Sequence, residues 1–285
     1  YGDHRDLHLS LRRQRQMCIR DRPGSLGVQD YLFLTIKSPA LLPSLEAMKP
    51  LIGKDTTIIT CMNGIPHWYF HKLDNKYANY KIKCLDPNLL IDTILPPDNI
   101  VGSVVYPACE IVKPGTIKHI AGNRFSLGEP EGSESDRLKF ISDILKRAGF
   151  RAPIQKNIRD EIWLKLIGNL SFNPISALTG ATLEQICNDQ GTEAIVRAMM
   201  TEAKIIAEEL GAKINMSIEK RIDGARKVGA HKTSMLQDIE AGKPIEIDSI
   251  IIAVKELGEL TCSPTPYIDT ILNLTLQKAK ILGCL

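Results

Sequence analysis

The chain has 285 residues, 44% of them hydrophobic and 24% charged, the make-up of a globular protein with a core to bury and not of a disordered or collagenous one. Lysine and arginine number 36 against 33 aspartate and glutamate, and the resulting +3 is spread along the chain; this argues against nucleic acid or an anionic membrane as partner, and for small molecules and other subunits. The seven cysteines form no C-x-x-C pair, which disfavours a disulfide framework and a zinc site and fits a reducing cytoplasm. No apolar run reaches the roughly 18 residues of a membrane span, and none near the N-terminus marks a secretory signal.

Residues 1–29 carry Arg5, Arg12, Arg13, Arg15, Arg20 and Arg22 with neither helical nor alternating apolar period, so they are assigned no fold. The run 6–22 resembles the translated read-through of a sequencing-library adapter, and the segment is read as disordered or artefactual. Residues 31–37 are apolar, rich in β-formers and stopped by Ser38-Pro39, which predicts a buried parallel strand. Leu41, Leu42, Leu45, Met48 and Leu51 then recur at helical spacing, and residues 56–61 predict a second buried strand before the turn at Asn63-Gly64. This alternation implies an α/β sheet. Such sheets bind ligands in the crevice beyond the carboxyl ends of their strands, where Lys37 and Asn63 lie.

Residues 100–106 predict a third strand, 116–120 and 123–127 shorter extended pieces, 133–148 a helix, and the region of Ala152 an edge strand. From Ile158 the pattern is helical, with segments near 158–172, 192–210, 217–229, 247–260 and 267–282. The expectation is an α/β domain over 30–155 followed by an all-α domain over 156–285.

The most informative segment is 159–174. Lys165, Asn169 and Asn173 stand at i, i+4 and i+8, which lines an amine and two amides along one helix face among Trp163, Leu166, Ile167, Leu170 and Phe172. A ligand would satisfy such groups; equally, Lys165 snorkels to solvent and the amides bond neighbouring backbone or cap a helix before Pro174. The chemistry that uses such a stripe is carbonyl reduction, where an ammonium stabilises the developing alkoxide and donates the proton while amides hold the substrate. A second cluster runs from His231 to Asp238, presenting Ser234 as a carboxylate donor. Glu246 and Asp248 share a face if that stretch is extended; Glu246 then either orients the Lys165 amine or is a surface charge, with Asp248 or Ser249 as an N-cap. No G-x-S-x-G, H-E-x-x-H or G-x-x-x-x-G-K-[ST] pattern occurs, so hydrolase, zinc-enzyme and P-loop readings lack their first requirement, and no metal is expected.

Three ordered motifs, E-x-W-x-K-x-x-x-N-x-x-x-N-P at 161–174, S-M-L-Q-D at 234–238 and E-I-D at 246–248, give the chain from about Asp30 onward its resemblance to the ketopantoate reductase family. The resemblance implies a Rossmann domain that binds NADP and a helical domain for substrate binding and dimerisation. It also implies a cytoplasmic homodimer that reduces ketopantoate to pantoate with NADPH, in pantothenate and coenzyme A biosynthesis. By the same resemblance Lys165 is the general acid, Asn169, Asn173 and Ser234 grip the substrate, and Lys37, Asn63, the backbone of Ala108 and Glu246 reach the cofactor. The family opens with a strand and a G-x-G-x-x-G turn that meets the pyrophosphate, and this sequence has no such turn. The expectation is therefore an N-terminally truncated member with an incomplete cofactor site. Two alternatives stay open: a reductase of the same architecture acting on another branched 2-keto acid, and a non-catalytic ligand-binding or dimerising remnant.

Overall fold

The run Thr-Ile-Ile-Thr is wholly β-branched, stiff at χ1 and suited to a pleated surface. In a computed structural model, which describes residues 23–113 and 116–285, it forms a strand with every residue buried, β2 (Thr57–Thr60). β2 pairs in parallel with β1 (Tyr31–Leu34) on one side, Tyr31 opposite Thr57, and with β3 (Ile100–Val105) on the other, Ile58 opposite Ile100. A two-stranded hairpin follows, β4 (Ala108–Lys113) and β5 (Thr116–Ala121). The chain then returns as β6 (Phe125–Gly128), antiparallel to β3, so the sheet order is β1-β2-β3-β6.

Side chains alternate across a strand, and the two faces of β2 serve different cores. Ile59, with Val101 of β3 and Leu127 of β6, packs under α2 (Asp136–Arg147) through Leu138, Ile141 and Leu145. Ile58, with Leu34, Ile100 and Val104, joins the larger core containing Leu41 and Leu45 of α1 (Leu41–Met48) and Ile158 and Ile162 at the start of α3 (Ile158–Thr179). The helical domain continues with α4 (Leu183–Asn188), α5 (Gln190–Glu209), α6 (Ile218–Val228) and α7 (Ser234–Glu240). A π-helical turn at Asp248–Ile252 then leads into α8 (Ala253–Thr261), and α9 (Pro266–Leu282) completes the set. The helix α3 is its axis, packed against α4, α5, α7 and α9, and is apolar nearly all round.

The class is the one the sequence implies, a Rossmann-type α/β sheet followed by helices, but four local expectations change. The first strand is parallel as read, yet not buried: among the described residues β2 is its only ladder partner, and Tyr31 and Phe33 remain 37% and 41% exposed. The helix holding Lys165 passes through Pro174 and ends only at Gly180, whose φ of +75° supplies the left-handed cap, so neither asparagine caps it. Pro174 is buried within the helix, and its missing N–H costs one bond of the ladder. Asp248 lies in the π-helical turn and not on an extended face shared with Glu246, and neither Asp248 nor Ser249 is an N-cap. Of residues 1–29, those up to 22 lie outside the described residues. The remainder packs on the fold, with Pro23–Ser25 a 3-10 turn against α1 and the Gln29 amide donating to Leu51 O at 2.9 Å.

Candidate functional site

The carboxyl ends of the three parallel strands meet α3 and the segment before the π-helical turn, and each contributes one polar group. Lys165, on α3, donates from Nζ to Asn63 Oδ1 at 2.7 Å and to the carbonyl of Val105, the last residue of β3. Asn63, three residues beyond β2, donates from Nδ2 to Glu246 Oε2 at 3.0 Å. The other Glu246 oxygen accepts from the Ser38 backbone N–H, beyond β1, at 3.3 Å. Amine, amide and carboxylate thus form one relay, assembled from groups 102 and 183 residues apart in the chain.

Gly64 makes the bend that aims Asn63. Its φ is +85°, and a Cβ there would lie 2.4 Å from the Ser249 carbonyl oxygen, so only glycine lets the turn sit this close to the π-helical segment. Ile65 N–H donates to that same carbonyl at 2.8 Å. Burial pushes the Lys165 pKa down to about 8; the Glu246 carboxylate works against this, and the Arg221 cation adds to it. The amine also lies 5.7 Å from the centre of the Tyr106 ring, which the Arg124 guanidinium approaches at 5.1 Å. Tyr106 donates from its hydroxyl to Glu161 Oε2 at 3.1 Å, and burial first, then the Glu161 carboxylate, pushes its pKa up to about 12.

Beside the relay is a cavity of about 100 Å³ whose lining includes Ser38, Asn63, Trp68, Lys165 and Ser249. The Ser249 hydroxyl is buried there without a hydrogen-bond partner, so the cavity holds a polar group that a ligand can satisfy. Asn169 and Asn173 stand one and two turns further along α3 from Lys165, half-buried and buried respectively, and their side chains bond to no described residue. Ser234 is the exposed first residue of α7, a helix that packs on α3 and is capped by Thr233. Lys37 is paired with Asp238 of α7, and Ala108 heads the β4–β5 hairpin opposite Ala121.

The structure therefore links Lys165 to Glu246 through Asn63 and sets Asn169 and Asn173 along the same helix. Lys37 and Ser234 sit at α7, and Ala108 stands apart at the hairpin. Asp238 closes the S-M-L-Q-D motif, whose pattern does not show its pairing with Lys37; Tyr106 and the Val105 carbonyl carry no sequence signal, since only the fold brings them to the amine. An amine held near neutrality beside an open cavity, with a carboxylate relayed to it through an amide, is equipped to give a proton to a carbonyl oxygen as it is reduced.

Residues 7–132 match the family model for ketopantoate reductase PanE/ApbA, and residues 157–279 match that for its C-terminal domain. A 2-dehydropantoate 2-reductase of Mesorhizobium japonicum is 48% identical over 259 residues, 91% of this chain and 79% of that protein. A Ralstonia solanacearum MolK2 crystal structure, provisionally named a ketopantoate reductase, superposes with a TM-score of 0.88 at 39% identity, covering 92% of this chain and 80% of that one. A 2-dehydropantoate 2-reductase from Methylococcus capsulatus gives a TM-score of 0.76 at 27% identity, covering 90% and 76%.

Proposed function

Since the chain belongs to the ketopantoate reductase family, we propose that it reduces 2-dehydropantoate to pantoate, with NADPH as the reductant and Lys165 as the proton donor. The protein is an oxidoreductase of Rossmann-type fold from a family that uses a nicotinamide cofactor; the choice of NADPH over NADH is part of the proposal. The observation that carries it is the relay from Glu246 through Asn63 to the Lys165 amine beside the strand ends.

When bound, a reduced nicotinamide supplies the hydride. The cavity residues fit its polar edge, because the buried Ser249 hydroxyl lacks a partner and Asn63 lies beside it. Lys37, at the exit of β1, is the chain's own cation for the anionic part of the cofactor, on release from Asp238. Ala108, whose backbone is a cofactor contact by resemblance, stands at the head of the β4–β5 hairpin, apart from the relay. The Lys165 ammonium faces the keto oxygen, stabilises the alkoxide as it forms and passes it a proton; Asn63 and Glu246 hold the amine in position and favour its charged form. Asn169 and Asn173, with Ser234, offer unsatisfied donors and acceptors to the substrate's hydroxyl and carboxylate.

We infer in addition a cytoplasmic homodimer. Among the described residues no helix is long and apolar enough to cross a membrane, and Leu274, Ile281 and Leu282 of α9 form an exposed apolar surface suited to a second copy. The test of the activity is NADPH oxidation with ketopantoate beside 2-ketoisovalerate, which lacks the hydroxyl. Turnover at least about tenfold better with ketopantoate is expected, since a site built to bond a hydroxyl rejects the analogue without it. Equal turnover overturns the substrate assignment, and silence with both overturns the reading.

A further inference from the structure

Arg221, on α6, differs from its neighbours. Arg197 and Arg226 pair with Glu193, Glu219 and Asp223 in the usual manner of surface cations. The guanidinium of Arg221 instead packs against Gly168 of α3, where a Cβ would stand 2.1 Å from Nη2 and 2.7 Å from both Cζ and Nε. Its Nε is buried with no hydrogen-bond partner, and among the described residues no carboxylate neutralises it. Burial lowers its pKa, with only the Tyr106 hydroxyl favouring the charged form. Gly168 lies between Lys165 and Asn169 in the sequence of α3, and the Arg221 charge is close enough to Lys165 to depress that amine and close enough to Tyr106 to act on its hydroxyl.

Two cations held together in partly buried surroundings, one of them unpaired, are costly unless an anion joins them. A guanidinium with unused donors is shaped for one anion above others, a carboxylate taken bidentately. The substrate class proposed above carries a carboxylate one bond from the carbonyl that Lys165 faces. We propose that Arg221 is a substrate-binding residue that takes the carboxylate of the 2-keto acid, with Gly168 kept free of a side chain to admit the guanidinium. This rests on the reduction reading for the identity of the acid but not for the need of an anion. It adds a carboxylate contact outside the three motifs to those of Asn169, Asn173 and Ser234.

The test is calorimetric titration of pantoate, 2-hydroxyisovalerate and neutral pantolactone, with and without NADP, into the wild-type protein and the variants Arg221→Leu, Arg221→Lys and Gly168→Ala. Loss of a charged hydrogen-bonding partner should weaken pantoate binding by about 10- to 100-fold in Arg221→Leu, with partial recovery in Arg221→Lys and no change for pantolactone. Gly168→Ala, which leaves the arginine in the sequence but displaces it, should weaken the acid in the same selective way, and thermal melts of each variant establish that it is folded. Unchanged pantoate affinity in folded Arg221→Leu overturns the inference and leaves the reduction reading standing. Arginine-dependent binding of 2-hydroxyisovalerate alone overturns the choice of substrate and supports the carboxylate role. Failure of the wild type to bind either acid overturns both.

Discussion

Raising the pH is the most direct perturbation of the relay, because the Lys165 amine is held at about 8, well below an ordinary lysine. The displacement corresponds to about 3 kcal/mol by which the folded site disfavours the charged amine relative to the unfolded chain. If the charged form is the proton donor, kcat/KM for ketopantoate reduction holds steady to about pH 7.5 and then falls roughly tenfold per pH unit. An ordinary lysine would postpone that fall beyond pH 10. Glu246 opposes the displacement, so Glu246→Gln should move the alkaline limb to lower pH. Stability carries the same signature with a definite sign. Below about pH 8 both states hold the proton and the folded protein bears the full cost; between about 8 and the ordinary lysine value the unfolded chain binds more protons, so this group's penalty fades as pH rises. Denaturant unfolding of the wild type and Lys165→Met should therefore show the wild type gaining about 2 kcal/mol on the variant between pH 7.5 and 9.5. A rate profile flat to pH 10, with a stability difference independent of pH, would refute the assignment of a depressed amine to this position.

Two further substitutions probe the scaffold that holds the relay. Gly64→Ala puts a methyl 2.4 Å from the Ser249 carbonyl on a backbone at φ +85°, and should cost at least about 2 kcal/mol, seen as a fall of several degrees in Tm, while lowering kcat as Asn63 swings away; a melting point within a degree of wild type would show that the turn relaxes freely. Arg159, buried at the start of α3, donates to the carbonyls of Tyr69 at 2.7 Å, Pro130 at 2.5 Å and His71 at 2.7 Å, tying the helix to the loops beside the sheet. Arg159→Met keeps the bulk but strands three acceptors, and a loss of about 3 kcal/mol in urea unfolding is expected, where a change under 1 kcal/mol would mean that water replaces the guanidinium.

The parts of the site that were legible in the sequence share one property: their signal is local. The i, i+4, i+8 spacing places Lys165, Asn169 and Asn173 on one helix because helical periodicity alone decides it, and the apolar runs around 58 and 101 give the parallel strands whose ends form the crevice. Asn63 stands out at the Asn-Gly turn beyond a strand and Glu246 in the E-I-D motif, yet nothing local says that they bond to each other across 183 residues or that Lys165 completes the chain. Partners made by tertiary folding leave no spacing to read. The same limit hides Asp238 as the partner of Lys37, and nothing in the spacing sets Arg221 apart from the other charges of the amphipathic helix α6. The helices α4 and α7, of 6 and 7 residues, are too short for periodicity to separate from loop, and are fixed instead by the caps of Thr182 and Thr233.

The relay also explains why its carboxylate is supplied by the helical domain and not by the sheet. A carboxylate directly on the amine would raise the Lys165 pKa and hold the proton too firmly to give it up near neutrality. With Asn63 interposed, Glu246 orients the amine through a neutral amide and adds only a partial electrostatic correction, so burial wins and the amine stays near 8. Glu246 also accepts from the Ser38 backbone beyond β1, so one side chain binds the ends of β1 and β2 to the segment that starts the π-helical turn. The amine is therefore poised only when sheet and helices are docked, and any change that separates them removes the Val105 and Asn63 acceptors together, and with Asn63 the link to Glu246. Activity in this architecture should fail cooperatively with docking, before the sheet or the helices themselves unfold.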